Sequence, residues 1–230
     1  MKKKNVYVAI MAGGIGSRFW PYSRVHRPKQ FLDVLNTGKT LIQLTVERYL
    51  KVCPIEHIFI VTNEDYIDLV KEQIPNIKDD QILAEPVRRN TAPCISYVSQ
   101  KIQKNDADAK IIVSPSDHLI LKEDKFVETI EHALNFIEHN DVLLTMGIKP
   151  TRPDTGYGYI QHKGEANDGV FKVKAFTEKP EKELAKTFIT SGDFLWNSGT
   201  FIWRSQTINK AIKQYIPEVH EAIASCEDQF

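Results

Sequence analysis

The sequence has few cysteines, no net charge and no long apolar run. Its 230 residues contain 3 cysteines without CxxC spacing, which excludes a disulfide-stapled scaffold and is typical of a reduced cytoplasmic protein. Lys plus Arg and Asp plus Glu number 30 each, so we expect no nucleic-acid partner and no polybasic membrane contact. No apolar stretch approaches the roughly 20 residues that cross a bilayer, and none forms the hydrophobic region of a signal peptide.

Two generic nucleotide-binding motifs are also missing. The dinucleotide fingerprint G-x-G-x-x-G fails because Phe19 stands where the third glycine belongs. Gly38, Lys39 and Thr40 do not end a P-loop, since the leading glycine would fall at Asp33. No Ser/His/Asp or Cys/His arrangement is recognisable, and the histidines lack metal-ligand spacing. A covalent nucleophile is therefore not indicated.

The basic residues are concentrated at the start of the chain. The first 30 residues contain seven lysines and arginines and no acidic residue. Within this stretch, Gly13, Gly14 and Gly16 follow an apolar run, and glycines allow backbone N–H groups to approach an anion closely. A positive region beside a glycine-rich loop predicts an anionic ligand, most simply a phosphate.

Apolar runs that are typical of strands alternate with helical patterns over the first two thirds of the chain. This alternation predicts an α/β fold of Rossmann-like type, with a mixed, mainly parallel sheet covered by helices on both faces. After Pro150, alternating Gly- and Tyr-rich segments predict antiparallel additions to the sheet. Ligands are expected beyond the carboxyl ends of the parallel strands. The predicted strands of the first part are residues 6–11, 57–62, 81–85, 110–115 and 142–148, and the clearest helix is 125–139.

Six segments carry a resemblance to a known family. In chain order they are GGIGSRFWPYSRVHRPKQFL, EPVRRNTAPCI, PSDH, GYGYI, FTEKP and WNSGTFIW. Together they resemble the mannose-1-phosphate guanylyltransferases (GDP-mannose pyrophosphorylases), in particular the bacterial long form. The resemblance implies a fold of the nucleotide-diphospho-sugar transferase type. It also implies a single nucleotidyltransferase domain over residues 1–230, with a nucleotide-binding half (1–120) and a sugar-phosphate-binding half (140–204).

The activity implied by the resemblance is transfer of a guanylyl group from GTP to mannose 1-phosphate. The sugar phosphate attacks the α-phosphate in line, assisted by Mg²⁺, and pyrophosphate leaves. The resemblance assigns Arg18 and Lys29 to the triphosphate and the transition state, and Asp117 to the metal. From the residues alone, Asp117 could equally be a turn or N-cap residue after a strand.

The nucleotide-binding residues that the resemblance implies lie in two loops. The backbone of the first loop would hold phosphates. In the second, an acceptor such as Glu85 or a backbone carbonyl could recognise guanine through its N1 and N2 donors, and Asn90, with both a donor and an acceptor, could add a second contact. Asn90 could instead, or in addition, cap helix 91–104. The residues are Ala12, Gly13, Gly14 and Gly16 in the first loop, and Glu85 and Asn90 in the second.

The sugar-phosphate side is implied by the later segments. Glu178 would contact sugar hydroxyls and Lys179 the sugar phosphate, with Asn197 and the Gly158 backbone alongside. Without the resemblance, Glu178 and Lys179 could form a solvated turn. Asn197 could likewise do no more than satisfy buried backbone groups.

Two other functions remain open from the sequence. One is the same fold with another base or sugar, such as a thymidylyl- or uridylyltransferase acting on glucose 1-phosphate. The other is a non-catalytic module that binds a nucleotide sugar. The combination of Arg18, Lys29 and Asp117 weighs against the module, because binding alone does not need all three.

The resemblance further implies a longer nucleotidyltransferase region with a second metal-binding aspartate. Nothing after Arg204 matches that segment, and residues 206–230 have the pattern of two helices broken at Pro217. Ile216, Val219 and Ile223 lie on one apolar face of this pattern. We therefore expect a shortened chain, and a homodimer of the full-length protein.

Overall fold

The computed structural model describes residues 5–14, 16, 19–85 and 91–225. The chain divides into two compact units: the first unit comprises residues 1–144 and 201–230, and the second unit comprises residues 145–200. The strands in the described part are β1 (Val6–Met11), β2 (Ile58–Asn63), β3 (Ile82–Glu85), β4 (Lys110–Pro115), β5 (Leu144–Ile148), β6 (Gly158–Asn167), β7 (Val170–Glu178) and β8 (Phe194–Arg204). The α-helices there are α1 (Leu41–Tyr49), α2 (Ile67–Gln73), α3 (Thr91–Asn105), α4 (Glu123–His139), α5 (Lys182–Ser191), α6 (Ser205–Tyr215) and α7 (Pro217–Ala224).

The first unit is built on a parallel sheet with the strand order β3-β2-β1-β4. In the register of this sheet, Met11 at the end of β1 pairs with Val61 of β2 on one side and Pro115 of β4 on the other. The last residues of β8 run antiparallel to β4, with Phe201 opposite Val113. The carboxyl ends of β1 and β4 are therefore neighbours, so the loops that follow them meet at one edge of the sheet.

Both faces of this sheet are covered. Tyr7 and Ala9 of β1 belong to a core cluster with residues of α3 and α6, such as Val98 and Ile212. The alternate residues of β1, including Val8 and Ile10, are also fully buried. Burial of consecutive residues is what a parallel sheet between two helix layers requires. The predicted mixed, mainly parallel sheet covered on both faces is confirmed.

The second unit contains the antiparallel strands. β6 pairs with β7 and with the first part of β8, where Tyr159 lies opposite Trp196. A small core forms where α5 packs against these strands, through Tyr159, Trp196, Ala185 and Phe188. The predicted antiparallel additions are confirmed.

The element bounds follow the sequence patterns with small shifts. β1 and β4 have the predicted limits, whereas β5 begins at Leu144 rather than Val142. The backbone N–H of Val142 bonds instead to the carbonyl of Asn140, in the turn after α4. α6 and α7 are separated next to Pro217, as predicted. In the part of the chain that the structure describes, no helix is long and apolar enough to cross a membrane.

Candidate functional site

The glycine-rich loop follows β1 directly and is held by hydrogen bonds on its inner side. The N–H of Ala12 donates to the carbonyl of Val61 at 2.7 Å. The Gln30 amide donates to the carbonyls of Ala12 (2.7 Å) and Gly14 (2.9 Å). A Cβ placed on Gly13 or Gly14 would meet nothing within 4 Å. The loop is thus fixed on its inner side, while open space remains beside the two glycines for a ligand.

Gly16 is a glycine for a different reason. Its φ is +61°, and a Cβ there would come within 2.7 Å of the Lys29 Cβ. The Ser23 hydroxyl donates to the Gly16 carbonyl at 2.6 Å. A side chain at position 16 would therefore be strained and would push Lys29 away from the loop.

Lys29 and Asp117 come together at this edge of the sheet. Lys29 opens a short 3₁₀ helix, Lys29–Phe31, and Asp117 follows β4. The Lys29 Nζ lies 3.3 Å from an Asp117 carboxylate oxygen, with the side chains 25% and 36% exposed. The same Nζ lies 4.7 Å from the centre of the Phe19 ring. A cation and a carboxylate, both reachable by solvent, thus lie beside the open glycine loop.

His118, next to Asp117, is not suited to bind a metal such as Mg²⁺. Burial lowers the pKa of His118, the charges of Lys29 and Arg48 lower it further, and Asp117 opposes them. Mg²⁺ prefers oxygen ligands to imidazole, so Asp117 is the metal-binding candidate of this segment.

Glu85 ends β3 and has a partner that the sequence did not indicate. Its Oε1 accepts a hydrogen bond from the Cys94 thiol at 2.6 Å. Burial, followed by the contact with Glu85, raises the pKa of Cys94 to about 12, so the thiol stays protonated and can donate. The Glu85 backbone carbonyl accepts from the Asn63 amide at 3.2 Å. The Glu85 carboxylate is thereby tied to the first turn of α3.

Two predicted site residues, Arg18 and Asn90, lie outside the described residues. Their predicted roles on the triphosphate and on the base stay predictions.

The second unit brings together three of its predicted site residues. A Cβ on Gly158 would lie 2.8 Å from the Glu178 Oε1 and 3.6 Å from the Asn197 Cβ. Asn197 also accepts a hydrogen bond from the Gly199 N–H at 2.9 Å, which is the backbone role considered above. A side chain at position 158 would therefore displace the Glu178 carboxylate from its place beside this backbone.

Lys179 has an unusual backbone conformation. Its φ is +43°, a region that non-glycine residues rarely adopt and that is often found at functional sites. Its Nζ lies 3.1 Å from the Glu178 Oε2. The second unit therefore also presents a cation beside a carboxylate.

Gln30 is a site residue that the sequence analysis missed. It is buried between Lys29 and Phe31 and donates two of the hydrogen bonds that hold the glycine loop. The signal in the sequence was a long polar side chain, Gln30, between Lys29 and Phe31 in the PKQFL segment. Its partners are backbone carbonyls, which carry no sequence signature.

Within the described ranges, no group of three or more His, Cys, Asp or Glu could hold a metal ion. The carboxylate of Asp117 nevertheless suits a hard cation that takes its remaining ligands from phosphate oxygens and water. The ammonium group of Lys29 beside it shows that the position accepts positive charge.

Comparison with protein families and curated proteins gives a consistent result. The pattern of the nucleotidyl transferase family matches residues 7–229. A mannose-1-phosphate guanylyltransferase of Escherichia coli K12 is 37% identical, and the match covers 96% of this chain and 48% of that protein. The alginate biosynthesis protein AlgA of Pseudomonas aeruginosa is 35% identical, with 92% and 44% covered. The chain spans about half the length of the curated relatives it matches.

A solved structure from Thermus thermophilus, described as a mannose-1-phosphate geranyltransferase, superposes with a TM-score of 0.87. The two sequences are 31% identical. The match covers 96% of this chain and 64% of that chain. The resemblance drawn from the six sequence segments is confirmed by these relatives.

Proposed function

Because this chain belongs to the nucleotidyl transferase family, we propose that it transfers a guanylyl group from GTP to mannose 1-phosphate. The products are GDP-mannose and pyrophosphate. Relatives named mannose-1-phosphate guanylyltransferase, matched over most of this chain, support the choice of substrates. The observation that carries the proposal is the contact of Lys29 with Asp117 beside an open glycine loop.

The reaction needs positioning more than it needs acid–base chemistry. A phosphate oxygen of mannose 1-phosphate attacks the α-phosphorus of GTP and forms the new P–O bond. The bond from that phosphorus to the bridging oxygen breaks, and pyrophosphate leaves with the electron pair. Because the nucleophile is already an anion at neutral pH, no general base is required. The protein must align two polyanions and offset their charge.

The first unit supplies the groups for the nucleotide. Backbone N–H groups near Gly13 and Gly14 would approach the phosphates in the open space beside them. Lys29 would release Asp117 and turn its charge to the phosphate oxygens. Arg18 is assigned to the same triphosphate, and Glu85 and Asn90 to the base, from the sequence.

Mg²⁺ is the proposed cofactor, and Asp117 is the residue that would hold it, together with substrate phosphates and water. When bound, Mg²⁺ neutralises charge on the phosphate oxygens. Asp117 would present its carboxylate to the cation, at the position that the Lys29 ammonium occupies in this structure. Lys29 would then face the phosphates instead of competing for the same oxygen.

The second unit supplies the groups for the sugar phosphate. Glu178 and Asn197 would bond the sugar hydroxyls beside the Gly158 backbone, and Lys179 would contact the phosphate. Support comes from the packing of Glu178 and Asn197 against the same glycine. A cytoplasmic location and a homodimer of the full-length protein stay predictions.

The test is a pyrophosphate-release assay with a matrix of nucleotides and sugar phosphates. We expect the highest kcat/KM for GTP with mannose 1-phosphate, and full activity in the control variant Lys39→Ala, whose exposed ion pair with Glu47 serves neither substrate. Preference for dTTP or UTP with glucose 1-phosphate would identify another member of the family. Nucleotide-sugar binding without release from any pair would indicate a non-catalytic module.

A further inference from the structure

The segment that carries Asp117 is held on both sides by one helix. The Thr45 hydroxyl of α1 donates to the carbonyl of Ser116 at 3.1 Å. One turn later, the Arg48 Nη2 donates to the carbonyl of His118 at 3.5 Å. The N–H of Ser116 bonds to the carbonyl of Met11 at 3.2 Å, which joins the segment to the end of β1. The backbone is thus fixed immediately before and immediately after Asp117.

Both side chains are polar where apolar ones would pack. Thr45 is 0% and Arg48 is 2% exposed, on a helix whose other buried residues are mostly apolar. Burying a guanidinium costs several kcal/mol unless its donors are used, and well-packed apolar residues often replace such groups without loss of stability. These buried polar groups therefore need partners, and the carbonyls on either side of Asp117 are among them.

Arg48 also contacts α4. Its Nε lies 3.5 Å from a Glu123 carboxylate oxygen, and its guanidinium lies over the Phe126 ring. Glu123 is engaged more closely by Lys51, at 2.9 Å. The directed bond from Arg48 is the one to the His118 carbonyl.

We propose that Thr45 and Arg48 are positioning residues that fix the direction of the Asp117 carboxylate for the divalent cation, an inference that rests on the proposed function. Mg²⁺ requires nearly ideal octahedral geometry, so a ligand on a loose loop binds it less well. Residues that orient a metal ligand typically change metal affinity about 10- to 100-fold when they are replaced.

The principal test replaces the hydroxyl of Thr45 with a methyl group of nearly the same size. Thr45→Val removes the bond to Ser116, and Thr45→Ser retains it. Thr129→Val is the matched control, because the Thr129 hydroxyl bonds within its own helix, to the carbonyl of Lys125 in α4. The Mg²⁺ dependence of GTP binding by the 230-residue chain is measured by titration calorimetry, alongside pyrophosphate release.

We expect Thr45→Val to raise the Mg²⁺ concentration for half-maximal GTP binding about tenfold. The KM for mannose 1-phosphate and kcat at saturating Mg²⁺ should change much less. Thr45→Ser should restore the wild-type Mg²⁺ dependence, and Thr129→Val should retain it. Amide hydrogen exchange at Asp117 and His118 should be faster in Thr45→Val, because that segment has lost one of its anchors.

Arg48→Lys provides a second measurement with the positive charge retained. It should weaken Mg²⁺-dependent binding in the same direction, since a lysine cannot reproduce the fork of donors. If Arg48→Lys does not fold, Thr45→Val still decides the matter, because its packing volume is preserved.

A wild-type Mg²⁺ dependence together with unchanged amide exchange in Thr45→Val would overturn the inference. So would an equal rise in Mg²⁺ requirement in Thr45→Ser, since that variant keeps the hydroxyl. Failure of the proposed function has a different signature: the wild-type chain itself would bind GTP without regard to Mg²⁺ or release no pyrophosphate. In that case, faster amide exchange at Asp117 in Thr45→Val would still show that Thr45 anchors this segment.

Discussion

The site residues of the two units are supported by different kinds of contact. In the first unit, the glycine loop is bonded by the buried side chains of Gln30 and Thr62. In the second unit, Glu178 and Lys179 pair with each other at the surface, with side chains 69% and 54% exposed. Buried polar contacts hold one geometry, whereas an exposed ion pair contributes about 0–1 kcal/mol.

The difference corresponds to what each proposed substrate demands. Charge on transferring phosphates has to be met by groups already in place, because reorganisation at the moment of reaction would raise the barrier. Sugar hydroxyls can be bonded by side chains that settle when the ligand arrives. We therefore expect the first unit to be ordered in advance and the second to take its final form with substrate.

The largest expected effect is on the first unit. Lys29→Ala should lower turnover about 10²–10³-fold, the usual loss on removing one charge-stabilising donor. The melting temperature should change little, since the Lys29 ammonium makes a partly exposed ion pair with Asp117 and a contact with the Phe19 ring. Steady-state assays beside Lys39→Ala check this, and full activity of Lys29→Ala at saturating substrate would rule out its role.

Replacing one glutamine side chain in each unit tests directly whether the two units are supported differently. Gln30→Ala removes two bonds to loop carbonyls and should lower the free energy of unfolding by about 1–3 kcal/mol. Gln161→Ala in the second unit removes a bond to Asp193 nearer the surface and should cost less than about 1 kcal/mol. Urea unfolding measures both, and equal losses would mean that the two units are supported alike.

A smaller effect is expected on sugar binding. Glu178→Gln and Asn197→Ala should each raise the KM for mannose 1-phosphate about tenfold, as loss of one hydrogen bond of about 1.4 kcal/mol would do. The KM for GTP should stay unchanged, because neither residue belongs to the first unit. Equal increases for both substrates would make these residues structural rather than sugar-binding.

The smallest expected effect is on stability at acidic pH. Hydrogen bonds from Ser191 and Gln161 lower the pKa of Asp193, so its contribution to stability is present above the ordinary aspartate pKa of about 3.9. That contribution is lost as the pH falls through the lower folded-state pKa. Between about pH 5 and pH 2, the melting temperature should therefore fall less steeply in Asp193→Asn than in the wild-type chain. Identical slopes would contradict the assignment.

The sequence could predict the elements because their patterns are local. Runs of consecutive apolar residues mark β1 and β4, and their predicted limits match the structure. The amphipathic spacing of residues 125–139 marks α4, which begins two residues earlier, at Glu123. Such periodicities depend only on the geometry of one element.

The contacts that make the site could not be predicted in the same way. Lys29 and Asp117 are far apart in the chain and meet because Met11 and Pro115 pair at the ends of β1 and β4. The bond from Cys94 to Glu85 likewise depends on how α3 packs after β3. The motifs predict candidate residues, and the tertiary register determines what those residues contact.

The central claim is that Lys29 and Asp117 serve one ligand, the metal-bound nucleotide. A double-mutant cycle of Lys29→Ala and Asp117→Asn, with GTP affinity measured by calorimetry at fixed Mg²⁺, tests it most directly. The account predicts that the double variant loses less affinity than the product of the two single losses, because each residue acts through the same phosphates. Two single losses that multiply to the loss in the double variant would contradict it.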